Sequence, residues 1–201
     1  MRERGAEAVV SRETYMGRDA VRKRRVPKGY RHPDLDASLN SRRMRNEARL
    51  LRDARSAGVR TPIVYDVDPR DASIVMEAIP GRSLKKTIDS MGRDAESLCE
   101  SLGESIGLLH SAGMTHGDPT TSNAIVNGAS VWLIDFSMGI PAAGIEDMGV
   151  DVHLLERAMA SAHPDAPWAF EAAMRGYGRT MADSAKVIDK VTEIRSRARY
   201  T

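Results

Sequence analysis

Thr115-His116-Gly117-Asp118-Pro119-Thr120-Thr121-Ser122-Asn123, followed after a β-like run by Leu133-Ile134-Asp135-Phe136, is the stretch on which the reading of this chain turns. It sets an Asp and an Asn five residues apart on one tight loop, and a second Asp at the end of the next strand pair. That order suits groups that surround a metal-bound triphosphate from one side. A lone Asp in a loop is usually a cap or turn residue, but three such groups, placed after a helix and around a hairpin, point to phosphoryl transfer. Asp118 is assigned to receive or orient the hydroxyl proton of a nucleophile. Asn123 offers a neutral oxygen and Asp135 an anionic one to Mg. His116 reads as a structural histidine packed near the end of the Asp135 strand, because a zinc site would lack companions.

The surrounding pattern supports this placement. Upstream, Leu98, Leu102, Ile106 and Leu109 trace one helical stripe ending at Gly113, with Gly103 and Gly107 permitting close helix approach. Asn127-Gly128 separates Ala124–Val126 from Val131–Ile134, a hairpin signal. Downstream, helices are expected at about 148–161, 165–178 and 182–198. The first 80 residues read as strands at 8–11, 20–26, 63–67 and 73–78, interrupted by one helix starting near Pro33 and stopping at Gly58. Leu35, Leu39, Leu50, Leu51 and Ala54 supply its inward face, and Glu47 falls on the same side. A carboxylate there requires a cationic partner.

Lys23 is the expected partner and phosphate-holding cation, with Val21 on the same strand face to cover an adenine ring. By charge alone Arg22, Arg24, Arg25 and Lys28 compete with it, and its register relative to Glu47 favours Lys23. Gly5-Ala6-Glu7-Ala8 stands where a phosphate-covering turn should sit, although neither G-x-G-x-x-G nor G-x-x-x-x-G-K-[ST] is present. Met76-Glu77-Ala78-Ile79 fits a hinge whose backbone would read the adenine edge, and fits an ordinary buried strand end equally well.

Composition excludes several classes. At 201 residues and 41% apolar content the chain can bury a sizeable core. No apolar run approaches the roughly eighteen residues needed to cross a bilayer, and no hydrophobic segment follows Met1-Arg-Glu-Arg as a signal peptide would require. Cys99 is the only cysteine and is expected to fill core in a reducing compartment. A cytoplasmic protein is expected. Net charge is +2, but residues 18–60 carry +9 and residues 186–201 carry +3, suiting solvated faces, RNA backbone or an acidic partner.

With these residues assembled, the chain resembles the small atypical protein kinase subunits of the KEOPS complex. The resemblance rests on Arg25-Val26-Pro27-Lys28-Gly29-Tyr30-Arg31-His32-Pro33, Glu47-Ala48-Arg49, His116-Gly117-Asp118 with Thr120-Thr121-Ser122-Asn123, and Glu146-Asp147 with Val150-Asp151, spread over nearly the whole length. RIO-type kinases and aminoglycoside phosphotransferases share only the loop and metal pieces. The resemblance implies an α+β, two-lobed protein-kinase-like fold: a small β-rich N-lobe with one long helix (1–80) and a mainly helical C-lobe (81–201). It further implies Mg and ATP as cofactors, with Asp118, Lys23 and Glu47 catalytic and Asn123 and Asp135 holding metal. Gly5, Ala6, Glu7, Ala8, Val21, Lys23, Met76, Glu77, Ala78 and Ile79 would bind nucleotide. Implied partners are a threonylcarbamoyl-transferase subunit, a small regulatory subunit, and tRNA reached through the complex and the basic tail Arg195–Thr201. The implied activity is ATP hydrolysis supporting threonylcarbamoyladenosine formation, with Ser/Thr autophosphorylation. Asp151 would tie the catalytic loop to the following helix.

Only ten residues separate Asp135 from Glu146, too few for the long activation segment that docks peptides in ordinary protein kinases. Two departures from the family pattern are Ser137 for Gly and Pro119 for Leu; they would restrict the backbone and slow catalysis. A small-molecule phosphotransferase and a non-catalytic tRNA- or partner-binding scaffold are the competing readings.

Overall fold

The computed structural model describes residues 2–4 and 8–198. Five antiparallel strands form the N-terminal sheet: β1 (Arg2–Arg4), β2 (Ala8–Tyr15), β3 (Arg18–Arg25), β4 (Val64–Asp68) and β5 (Ser73–Glu77), in the order β1-β2-β3-β5-β4. Helix α1 (Pro33–Ser56) crosses between β3 and β4. A three-stranded sheet of β6 (Arg82–Ser83), β7 (Ala124–Asn127) and β8 (Ser130–Leu133) follows, together with α2 (Leu84–Met91), α3 (Glu96–Ser111), α4 (Ile145–Ala162), α5 (Trp168–Thr180) and α6 (Ser184–Ala198). The class is α+β, as expected. No helix of the described residues is long and apolar enough to cross a membrane.

The first hairpin is longer than its apolar pattern suggests. β2 continues past Ser11 to Tyr15 and pairs with Arg18 across Met16-Gly17. Both turn residues have positive φ, 48° and 78°, which matches the right-handed twist of the flanking strands. Met16 carries no ordinary turn signal, so the hairpin was not legible there.

Helix α1 begins at Pro33 and ends before Gly58 as expected, but its inner face differs. Leu35 is 56% exposed, and the buried side is Asp36, Asn40, Met44, Glu47, Leu50, Leu51 and Ala54. Asp36 takes the place an apolar residue was expected to fill. It accepts hydrogen bonds from the Lys28 amide (3.2 Å), Arg31 (3.3 Å) and Asn40 (2.9 Å), and so holds the Arg25–Pro33 stretch against the helix. Each bond to a carboxylate offsets part of the cost of burying it.

The helical half packs around α3. Leu98, Leu102, Ile106 and Leu109 are buried, as is Cys99. Gly103 and Gly176 let α3 and α5 approach backbone to backbone: a Cβ on Gly103 would lie 1.7 Å from Ala173 O, and one on Gly176 1.9 Å from Glu100 O. α6 lies along α4, with Gly149 facing Lys190 and Ile194.

Candidate active site

Strand alternation puts Val21 and Lys23 of β3 on the face that lines a cleft of about 310 Å³ between the two sheets. Lys23 Nζ lies 2.6 Å from Glu47 Oε1 and 2.7 Å from Asp135 Oδ1, joining β3, α1 and the segment after β8 at one point. Arg22 and Arg24 occupy the opposite face, where they pair with Glu13 and Asp71. Arg25 shares the Lys23 face and donates to the second Glu47 oxygen at 3.1 Å.

Burial pushes the Glu47 carboxyl above the usual range, opposed by Lys23 and then Arg25. Burial acts in the same direction on Asp135, but the Lys23 charge and hydrogen bonds from Lys23 and Ser137 overcome it and hold that carboxyl below its usual range. Asp135 has φ +63°, a left-handed conformation that Asp tolerates better than most residues.

The substitutions that raised doubt are accommodated. Ser137 has no positive φ among the described residues, so no glycine is required there, and its hydroxyl donates to Asp135 Oδ1 at 2.6 Å. Pro119 sits at the centre of a tight turn closed by Thr120 N donating to Asp118 O at 2.9 Å, a bend its fixed φ suits.

Asp118 is exposed and Asn123 half-buried; the Asn123 amide donates to Asp118 Oδ2 (2.8 Å) and Asp118 O (3.0 Å). Ile134 N donates to Asn123 O at 3.0 Å, so the loop residue Asn123 is held one position from Asp135 by a backbone bond. His116 reinforces this as a structural group. Its Nε2 faces Ile134 O at 3.0 Å, its Nδ1 accepts from the Asp118 amide at 3.3 Å, and its ring packs on Phe136. Burial depresses its pKa, leaving the neutral imidazole that these roles require. Asp151 of α4 accepts from the amides of His116 (3.0 Å) and Gly117 (2.7 Å) and lies 3.1 Å from His110 Nε2.

Of the expected nucleotide-binding residues, Val21, Lys23, Met76, Glu77 and Ile79 line the cleft. Ala78 does not; its amide donates to Asp19 O, and the Glu77 amide donates to Ile63 O. Among the described residues only the Ile79 amide of that segment is left without a hydrogen bond. Ala8 is a buried residue of β2 paired with Arg25, not part of a turn over the cleft. Gly5, Ala6 and Glu7 lie outside the described residues. Val10, Arg12, Pro62, Ile125 and Ile134 complete the lining and were missed. Val10 and Arg12 share the Lys23 face through the pairing Val10↔Lys23 and Arg12↔Val21, a register that only the Met16-Gly17 turn could have revealed. Among the described residues, larger hollows of about 570 Å³ outside β3 and about 440 Å³ beneath β6 contain no comparable lysine–carboxylate group.

The cations of the C-terminal helix are not isolated. Lys190 and Arg197 pair with Glu146, and Arg195 with Glu156, so α6 leans its positive charge on α4.

The family described as the RIO domain matches residues 10–147. A "Probable bifunctional tRNA threonylcarbamoyladenosine biosynthesis protein" of Methanothermobacter thermautotrophicus is 43% identical over 199 residues, covering 98% of this chain and 36% of that protein. Proteins with the same description from Methanosarcina barkeri (42% over 197 residues, 98% and 35% covered) and Thermoplasma acidophilum (40% over 196 residues, 98% and 36% covered) are also similar. The chain thus spans about a third of the length of the curated relatives it matches. In three dimensions it matches the Chaetomium thermophilum Rio2 kinase, solved as an ADP/Mg2+–phosphoaspartate complex, with a TM-score of 0.67 at 16% identity, covering 98% of this chain and 70% of that one. That likeness establishes the kinase-like fold.

Proposed function

The chain belongs to the RIO-domain family of kinase-like proteins, and on that premise we propose that it is an Mg-ATP-dependent atypical kinase or ATPase that supports threonylcarbamoyladenosine formation in tRNA. The observation that carries this reading is Lys23 Nζ spanning Glu47 and Asp135 in a cleft lined also by Val10, Val21, Met76, Ile79, Ile125 and Ile134. Such a lysine, braced by one carboxylate and placed beside another, is the arrangement phosphoryl transfer uses to hold a nucleotide tail.

Val21 above and Ile125 and Ile134 below would enclose the adenine, with the Ile79 amide available to its edge. The hinge near residue 80 would then divide an N-lobe of residues 1–80 from a C-lobe of 81–201. Asn123 and Asp135 would hold magnesium, which supplies charge neutralisation when bound. The donor set fits a hard cation: one carboxylate kept ionised and one amide oxygen. Asp118, held by the Asn123 side chain, would orient the nucleophile's proton.

α4 starts at Ile145, only nine residues after Phe136 begins the intervening loop, so no long peptide-docking segment intervenes. This favours water or a partner-held group as nucleophile over broad peptide phosphorylation. The relatives' description as bifunctional tRNA threonylcarbamoyladenosine biosynthesis proteins supports a kinase-like part that works with a second module; the proposed assembly joins it to a threonylcarbamoyl-transferase subunit, a small regulatory subunit and tRNA. The test is ATP turnover with magnesium, measured with and without the transferase subunit and tRNA. Stimulation by both, lost in Asp135→Asn, supports the reading; turnover unchanged by that substitution overturns it.

A further inference from the structure

Thr121 lies midway between Asp118 and Asn123, yet it lines neither the cleft nor the other large hollows of the described residues. Its Oγ1 is 3.0 Å from His163 Nε2, and His163 Nδ1 is 3.2 Å from Asp89 Oδ1. The second Asp89 oxygen lies 3.4 Å from Lys85 Nζ one helical turn away. Thr121 and His163 are buried, while Asp89 is half exposed.

The direction of the hydrogen bonds follows from the chemistry. An ionised Asp89 can only accept, so His163 carries its proton on Nδ1. Burial, with Lys85 assisting and Asp89 opposing, holds the imidazole below its usual pKa, so Nε2 is a bare acceptor at neutral pH. The Thr121 hydroxyl must then donate. Carboxylate, imidazole and hydroxyl stand in the order of a nucleophile relay, but a threonine only 2% exposed that faces no hollow meets no substrate. The relay must act on the loop itself.

Each end is anchored. Lys85 N, in the first turn of α2, donates to Thr121 O at 2.9 Å, so α2 grips the same residue through the backbone. His163 N donates to Met159 O at the end of α4, and Ala166 N donates to His163 O, which fixes the ring's origin. Two residues beyond Thr121, Asn123 N donates to Thr120 O and Asn123 O accepts from Ile134 N.

We infer that Asp89, His163 and Thr121 form a positioning relay that clamps the middle of the Asp118–Asn123 loop onto α2 and α4, and thereby sets the direction in which Asn123 presents its oxygen. The inference rests on the phosphotransfer reading of that loop. The test compares Thr121→Val, which removes the donor at nearly constant shape, with Thr121→Ser, which retains it. In metal-free protein, hydrogen exchange at the Asn123 amide should be roughly tenfold faster in Thr121→Val and near wild type in Thr121→Ser, with α3 amides unaffected. In the loaded protein, the magnesium needed for half-maximal ATP turnover should rise roughly tenfold in Thr121→Val only, the cost typical of losing a group that orients a metal ligand. If Thr121→Val fails to fold, Asp89→Ala, at the half-exposed end, should show the same exchange effect. Unchanged Asn123 exchange, or Thr121→Ser as fast as Thr121→Val, overturns the relay. A wild-type chain without Mg-dependent turnover would overturn the proposed function instead, while the exchange comparison still decides the relay.

Discussion

The Asp151 carboxylate accepts the Gly117 amide at 2.7 Å, so a side chain on α4 holds the backbone from which Asp118 projects. The same carboxylate accepts the His116 amide and lies against His110, whose other ring nitrogen is 2.9 Å from the Tyr177 hydroxyl. α3 and α4 therefore meet on one buried carboxylate, and α5 joins them through His110. In Asp151→Asn one acceptor becomes a donor facing an amide, and we expect a loss on the order of 3 kcal/mol, because hydrogen bonds to a buried charge are among the stronger ones. A lower urea midpoint at unchanged slope would show it; an unchanged midpoint would mean the loop is held by other contacts.

On the proposed function, Asp135→Asn should lower Mg-dependent ATP turnover by roughly 100-fold or more, since it would remove charge beside the bound phosphates. It should also change acid stability. The folded Asp135 carboxyl titrates below the unfolded one, through Lys23 and Ser137 outweighing burial. Its contribution is therefore complete above about pH 4 and is lost as pH falls through the folded value. The substitution should flatten the stability profile on that acid limb, and equal slopes for both proteins would contradict the assignment.

Gly103→Ala and Gly176→Ala should each cost about 1–3 kcal/mol, because the new methyl would meet a facing backbone carbonyl rather than a side chain that can turn away. For a domain of this size that is a fall of roughly 2–4 °C in Tm per kcal/mol. Gly178, on the same helix as Gly176, has nothing within 4 Å of its added Cβ. Gly178→Ala should instead raise stability by up to about 1 kcal/mol through helix propensity. Thermal melts of the three variants would separate close approach from propensity.

Cys99 should resist alkylation at pH 8 in the folded protein and react fully in urea. It is buried, and burial, with Glu96 adding to it, pushes its thiol up to about 12. A group raised in the folded state stabilises fully below its unfolded pKa of about 8.5 and loses that contribution as pH climbs toward about 12. Thiol titration against time and denaturant reads this directly; rapid labelling of the native chain would refute it.

Much of the architecture was readable because it rests on local rules. The Leu98–Leu109 stripe, the β7–β8 hairpin and the limits of α1 at Pro33 and Gly58 each follow from spacing and turn chemistry within a few residues, although the hairpin turns at Gly128-Ala129, one residue beyond the expected Asn127-Gly128. Leu35 shows where such rules stop: periodicity placed it inside, but Asp36, tied to Lys28, Arg31 and Asn40, takes the buried face. The apolar part of the cleft was half legible for a similar reason. Val21 could be placed from its own strand, whereas Val10, Ile125 and Ile134 reach the cleft only through pairing with distant segments.

Taken alone, the amino-acid order determined the sequence of loop, hairpin and Asp135, since helix and strand periods and turn residues act over short range. Register already pointed to Lys23 with Glu47, but the close contact of that pair, its junction with Asp135, and the meeting of Asp89 and His163 with Thr121 were decided only by the tertiary structure. Those contacts link residues 24 to 112 positions apart, and nothing in local propensity sets which side chains meet across such a distance.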